Sequence, residues 1–533
     1  MDLKGIISFA FVLGPPLTFL VSLALVWRYR RAVTRLMRQS APSGAQVRVP
    51  QSAPRELAVH RAASGAPPPD LAARMLREPW RVATAYLGAG LLAAIAMTVV
   101  LFSASHFEFL PLRTATVTLV FLWPAILTVN LVAATTRRQV RNVVLVYFGV
   151  LAVLMASEVY ISPASSAGQM MVLWGLMGGL PMILVGAVLL RQIRTVGPLV
   201  FAFVLILLVG GGLALVLLSQ HIKLVVVIAA RLGLGGTTAF YLTAAIGMVS
   251  FGMVGWFGLT LIGDLYRAKL VSDQALTLDA VWLIFLLAQT ALVASEGKGL
   301  VWVVIEMLAF VVYRIAVWVL LRLLVRRDRD PDHPRLLFLR VFALGRKSQR
   351  LWDVLRKTWR HVGSVRMIAG PDLATSGLEP HELLDFVRGR LASRFIGSEA
   401  ASAAALAGVD DAPDADGLFR VTEFFCRDDA WRATFLRLVA DSDAVLMDLR
   451  SFSPRNEGCL FEIEQLTARV PAARIVLLLD GTTDRAHLDR ALARLQLAHP
   501  DGTQSAPTLV DVAGLNAGDV KRRVHALAAA ATS

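Results

Sequence analysis

Through the first 325 positions the apolar residues come in stretches of about twenty, broken by short polar turns. Beyond that point they shrink to short runs separated by amphipathic stretches. A helix needs about 20 apolar residues to cross the hydrocarbon of a bilayer. By that measure nine spans are expected, near 5–27, 82–104, 114–135, 142–162, 169–190, 196–218, 237–263, 276–295 and 299–321. Residues 39–70, rich in Pro, Ala, Ser and Gly, read as a disordered cytosolic loop. DLAARMLREPW at 70–80 reads as a short amphipathic helix leading into the second span. HIKLVVVIAARLGLGG at 221–236 is too short and too charged to span, and reads as an interfacial segment.

Positive charge orients the spans, because Lys and Arg collect on the cytosolic side. Arg28, Arg30, Arg31, Arg35 and Arg38 follow the first span, and Arg137, Arg138 and Arg141 the third. Arg191 and Arg194 follow the fifth, Arg267 and Lys269 the seventh, and Arg322, Arg326, Arg327 and Arg329 the ninth. The alternate loops at 105–112, 162–169 and 294–299 are poor in charge. The expected topology is a multi-pass protein of the cell membrane, in the bacterial inner membrane, with its N-terminus outside and its C-terminus cytoplasmic. The first span is not read as a cleaved signal, since its arginines follow the apolar run instead of preceding it.

Within the spans, small residues recur at 175, 178 and 179, at 210–212 and at 247, 252, 255 and 258. Close helix packing accounts for them, and broken helices lining a transport path are the alternative. GMVGWFG at 252–258 superficially resembles a dinucleotide fingerprint, but no strand precedes it. Glu306 and Arg314 are the ionisable groups expected inside the last span, facing protein because lipid exposure of a charge is costly.

From Arg335 onward the pattern becomes apolar strand, amphipathic helix, apolar strand. Strands are expected at 335–342, 364–370, 444–450, 473–481 and TLVDVA, with LFRVTEFFC as a further candidate. Fully apolar strands between helices indicate a mostly parallel sheet covered on both faces, a doubly wound α/β domain over 335–533. The stretch 326–334 reads as a linker. The stretch 397–417, rich in small residues and acidic at its end, reads as a surface insertion. Ligands of such sheets bind at the carboxyl ends of the strands. That places Phe342, Gly345, Arg346, Asp372 and Ser451 among the candidate ligand-binding residues.

The net charge of +15 comes from arginines flanking spans, with no basic stripe interleaved with aromatics, so nucleic acid is not an expected partner. Only 17% of residues are charged, against roughly 25% in a soluble protein. The two cysteines exclude a disulfide framework and a cysteine-based zinc site, and no metal is expected. No Walker lysine, GxSxG elbow or Ser-His-Asp order is present.

ADSDAVLMDLRSFSPRNEGCLFEIEQL at 440–466 resembles the strand and following helix of a TIR domain. The likeness runs through Ser442, the strand 444–449, Ser451 and Ser453, and Cys459-Leu460-Phe461-Glu462. LLFLRVF is similar to the family's first box and IAGPDLATSG to its second. The pattern also resembles SLOG-like domains attached to bacterial membrane proteins. The resemblance covers about 200 residues, and Gly458 stands where the third box has tryptophan. It implies a flavodoxin-like sheet, NAD or a related nucleotide as ligand, and Glu462 as the catalytic glutamate, beside an oxocarbenium-like transition state. A carboxylate that merely suits the helix dipole is the simpler role for Glu462.

Three functions follow. The first is a membrane-anchored signalling or defence protein whose TIR-like domain binds a nucleotide-like ligand or self-associates, through that domain or through the bundle. The second is a membrane-held NAD glycohydrolase. The third is a transporter with a regulatory cytosolic domain.

Overall fold

The computed structural model describes residues 3–38, 71–161, 166–190, 193, 196–295, 300–325, 333–341, 351, 354–369, 380–427, 430–498, 507–512 and 517–533. The expected loop at 39–70 and most of the linker at 326–334 lie outside these residues.

The first part is all helix. It runs α1 (Leu3–Met37), α2 (Leu71–Ser105), α3 (Pro111–Phe121), α4 (Trp123–Val132), α5 (Arg137–Ile161), α6 (Ala167–Trp174), a π-turn at Gly175–Gly179 and α7 (Leu180–Val188). It continues with α8 (Gly197–Gln220), α9 (Ile222–Arg231), α10 (Gly236–Arg267), α11 (Asp273–Ser295) and α12 (Leu300–Leu324). Among the described residues seven helices are long and apolar enough to cross a membrane, or eight if the α3–α4 pair, bent by 42°, counts as one span. The expected eighth, 276–295, falls on α11, which is not among them. Residues 70–80 are not a separate helix, because α2 continues unbroken through Pro79. The small residues serve close packing: a Cβ on Gly247 would meet the Gly210 carbonyl oxygen on α8 at 2.5 Å. Residues 222–231 form α9, which leaves Leu224, Val226 and Val227 exposed.

The second part is a seven-stranded, wholly parallel sheet. Its strands are β1 (Arg335–Arg340), β2 (Ser364–Ile368), β3 (Phe395–Ile396), β4 (Val421–Cys426), β5 (Ala444–Asp448), β6 (Ile475–Leu479) and β7 (Thr508–Asp511). They lie in the order β3-β4-β2-β1-β5-β6-β7. Five of them, β2-β1-β5-β6-β7, keep the 2-1-3-4-5 order of a doubly wound sheet. The other two extend the β2 edge. β3 is not among the expected strands: the helix that opens at Pro380 stops at Val387, Gly389 takes a left-handed φ of +72°, and a 3-10 turn leads into the strand.

Alternation along the strands sorts the core. Leu336, Phe338, Leu446 and Leu478 pack with Val520, Val524 and Leu527 of α18 (Ala517–Thr532) on one face. Leu337, Leu339, Met447 and Leu477 pack on the other face. There they meet α15 (Trp431–Ala440), α16 (Glu457–Arg469) and α17 (Arg485–Ala498). Two shorter helices, α13 (Pro380–Val387) and α14 (Glu399–Ala407), complete the part.

The sheet sits on the bundle by its amino edge. Leu71 and Met75, at the start of α2, belong to the same apolar cluster as β1. Tyr29 of α1 donates to Glu382 of α13 at 3.3 Å, and Lys357 donates to the carbonyls of Asn130 in the last turn of α4 and of Ala134 just past it. Val196 and Leu199 at the start of α8 share a cluster with Leu383. Arg420, before β4, donates to the Tyr266 carbonyl near the end of α10. The ends of α1, α4 and α10 and the starts of α2 and α8 therefore lie on one side of the bundle, the side of the sheet.

Candidate functional site

The chain leaves β1 in opposite directions, to β2 and later to β5, so the crevice between the carboxyl ends of β1 and β5 is the topological switch point. β5 ends on Asp448, fully buried, which accepts two bonds of 2.7 Å from the Arg450 guanidinium. That pairing turns the chain sharply, and Ser451 follows with a left-handed φ of +60°. The Ser451 amide donates to Thr482 Oγ1 at 3.1 Å, and the Thr483 hydroxyl donates to the Leu449 carbonyl at 3.0 Å. The loop after β5 is thus tied to the loop after β6. The Ser453 amide and hydroxyl both donate to Asn456 Oδ1, and α16 starts at Glu457.

Glu462 is the sixth residue of α16, so its carboxylate lies beyond the first turn, and Glu457 fills the dipole position there. Glu462 is 5% exposed, and its Oε2 has no hydrogen-bond partner among the described residues. Burial pushes its carboxyl up to about 8, so the group is protonated at neutral pH. One turn earlier Cys459 Sγ stands 4.0 Å from the Arg340 carbonyl, which sets this face of α16 over the end of β1. Burial, with Glu462 beside it, pushes the Cys459 thiol up to about 12, which makes it inert. Glu464 is exposed on the opposite side of the helix. Side chains of alternate sign line the other face of the crevice. Arg340 pairs in register with Asp448, and Arg523 of α18 is buried close by, drawn down to about 10 by burial and by the charge of Arg450.

The structure brings Glu462 and Ser451 to one edge of the sheet. Phe342, Gly345, Arg346 and Asp372 lie outside the described residues; Val341, the last described position before the first three, donates its amide to Asp448 at 3.0 Å. A Cβ on Gly458 would meet the Trp431 indole at 3.9 Å, an ordinary van der Waals contact. Sequence reasoning set Arg450 at the carboxyl edge of the sheet but missed Arg340, Asp448 and Arg523. The Asp-x-Arg spacing at the end of an apolar strand is the signal that could have joined Asp448 to Arg450.

In the bundle, Arg314 of α12 donates to both carboxylate oxygens of Asp279 on α11, at 2.9 and 2.7 Å. Its partner is across the helix pair, not along its own helix. The side chain of Glu306 lies outside the described residues. A cavity of about 560 Å³ among α2, α3 and α5 is lined by Leu91, Phe109, Thr118 and Val150 and has no charged wall.

No family model, curated protein or solved structure matches the chain.

Proposed function

We propose that this chain is a multi-pass membrane protein whose TIR-like cytosolic domain binds a nucleotide-like ligand, as the input to a signalling or defence response. The single observation behind this reading is Glu462: a buried carboxyl with an unpartnered oxygen, at the switch-point edge of a doubly wound sheet. A buried polar atom without a partner costs stability unless something supplies the missing bond. A ribose hydroxyl has the chemistry to do so. Because the carboxyl is neutral in the empty site, ligand binding needs less from it than glycosidic cleavage would. NAD hydrolysis requires an ionised carboxylate beside a developing positive charge.

The test uses the full chain in nanodiscs. Saturation with a nucleotide at about 100 times its Kd stabilises the folded state by about 2.7 kcal/mol. At least one of NAD, ATP and cyclic dinucleotides is expected to raise Tm by several degrees, Glu462→Gln to shrink that shift, and Glu464→Gln to leave it. No nicotinamide is expected from NAD. Equal shifts in the wild type and Glu462→Gln for every nucleotide would reject the site, and nicotinamide release lost in Glu462→Gln would convert the reading to a glycohydrolase.

The membrane part of the proposal is nine spans, the N-terminus outside, the sheet in the cytosol, in a bacterial inner membrane. The arginine alternation supports it, as does the clustering of the ends of α1, α4 and α10 and the starts of α2 and α8 beside the sheet. Alkaline phosphatase fused after Ser105 or Ser165 should be active, and fused after Arg138 or Ser533 inactive. An active fusion at Ser533 would reject the orientation.

A further inference from the structure

The acidic run VDDAPDAD at 409–416 looks in sequence like solvated low-complexity chain. In the fold each of its four aspartates has a specific place. The Asp410 carboxylate stands 3.2 Å from Lys269 Nζ, which also donates to the carbonyls of Asp410 and Ala412. Asp411 accepts from Arg366 of β2 at 2.6 Å and lies 3.6 Å from Arg335 of β1. Asp414, 4% exposed, accepts from Arg420 at 2.7 Å, and the Arg420 guanidinium lies 3.8 Å above the Tyr266 ring. Asp416, 3% exposed, accepts from the Ser272 hydroxyl, and the Ala415 amide donates to the Lys269 carbonyl at 3.1 Å. The turn between α10 and α11 is therefore held at Tyr266, Lys269 and Ser272 by one short segment.

We propose that residues 410–416 form a coupling strap, which transmits displacement between the α10–α11 turn of the bundle and the ligand edge of the sheet. The strap grips β1 at Arg335, its first residue, and β2 at Arg366, its middle residue. β1 then rises about 3.3 Å per residue to the switch-point crevice, so one strand carries the strap at one end and the candidate site at the other. A cavity of about 70 Å³ beside the joint is lined by Tyr86, Ser272, Arg314 and Asp416, and the buried Tyr86 hydroxyl has no partner among the described residues. That volume has room for water among polar groups, so the strap can shift by exchanging hydrogen bonds without opening an apolar core. The inference rests on the proposed ligand edge only for its biological meaning, and its test uses no ligand.

Full-length protein in nanodiscs with Ser272→Cys and Asp416→Cys provides the test; native Cys426 and Cys459 are buried. Mild oxidation should close the new pair. Hydrogen exchange is then compared between the locked and the reduced form of the same protein. The reduced form should exchange about 10-fold faster at 410–418 and at the ligand edge, 448–453 and 480–484, with α2 unchanged. Asp411→Asn, without added cysteines, should loosen the same ligand-edge amides. The proposal is overturned if the pair fails to close while Thr98→Cys with Thr118→Cys, whose native hydroxyls are 3.0 Å apart, does close. It is equally overturned if locking leaves the ligand edge unchanged, since the segment is then only an anchor. Neither failure touches the ligand reading.

Discussion

Asp273→Ala is expected to detach the sheet from the bundle at a cost of about 3–5 kcal/mol. Asp273 opens α11 and is met by Arg360 at 2.9 Å and Arg356 at 3.3 Å. Burial alone would raise its carboxyl, but Arg360 and Arg356 hold it well below the ordinary carboxylate range. Its stabilisation is therefore present above that range and is lost only as pH falls through the depressed value. Removing the carboxylate leaves two guanidiniums in the seam, one of them 5% exposed on its side chain, without the charge that offset their desolvation. The measurement is Tm in nanodiscs together with tryptic release of the C-terminal fragment. Arg485→Ala is the control, because its pair with Asp511 is half-exposed and worth at most about 1 kcal/mol. Should Asp273→Ala unfold and digest like Arg485→Ala, the seam does not exist as described.

The bundle was legible because its signals repeat. Apolar runs of membrane length and arginines after alternate runs each give the same answer at several places, and seven or eight of the expected spans stand on helices that qualify. The parallel sheet was legible for the same reason, since β1, β5 and β6 are apolar on both faces. What could not be read was which polar residues meet. Asp411 and Asp416 look like solvent-exposed residues until Arg366 and Ser272 arrive from 45 and 144 positions away, and Asp414 until Arg420 folds back on it across a turn of chain that carries no periodicity. Residues 70–80 read as an amphipathic helix leading into the second span, and the apolar face of Leu71 and Met75 is covered by the sheet. An amphipathic helix reports that something apolar covers it, not whether that is lipid or protein. At the candidate site, Glu462 was legible as a position, while its burial depends on β1 and the β5–α16 loop.

Glu462→Gln is expected to stabilise the empty protein, and increasingly so as pH rises. In the unfolded chain the carboxyl titrates near its ordinary value of 4.5, whereas in the fold burial raises it to about 8. Below about pH 4.5 both states carry the proton and the group is neutral to stability. Between the two values the unfolded state releases its proton and the folded state keeps it, so stability falls as pH rises and the loss is complete above about 8. The total is on the order of a few kcal/mol. Glutamine matches the protonated acid in shape and does not titrate, so the variant should unfold like the wild type at pH 5 and several degrees above it at pH 8.5. Glu464→Gln, on the exposed side of the same helix, should track the wild type at both. This places a cost of folding at the very group proposed to meet the ligand, which is what a site kept for binding instead of packing would carry. A Tm difference for Glu462→Gln that is the same at pH 5 and pH 8.5 would show the carboxyl to be solvated, and the ligand site would then have to be sought elsewhere along the carboxyl edge.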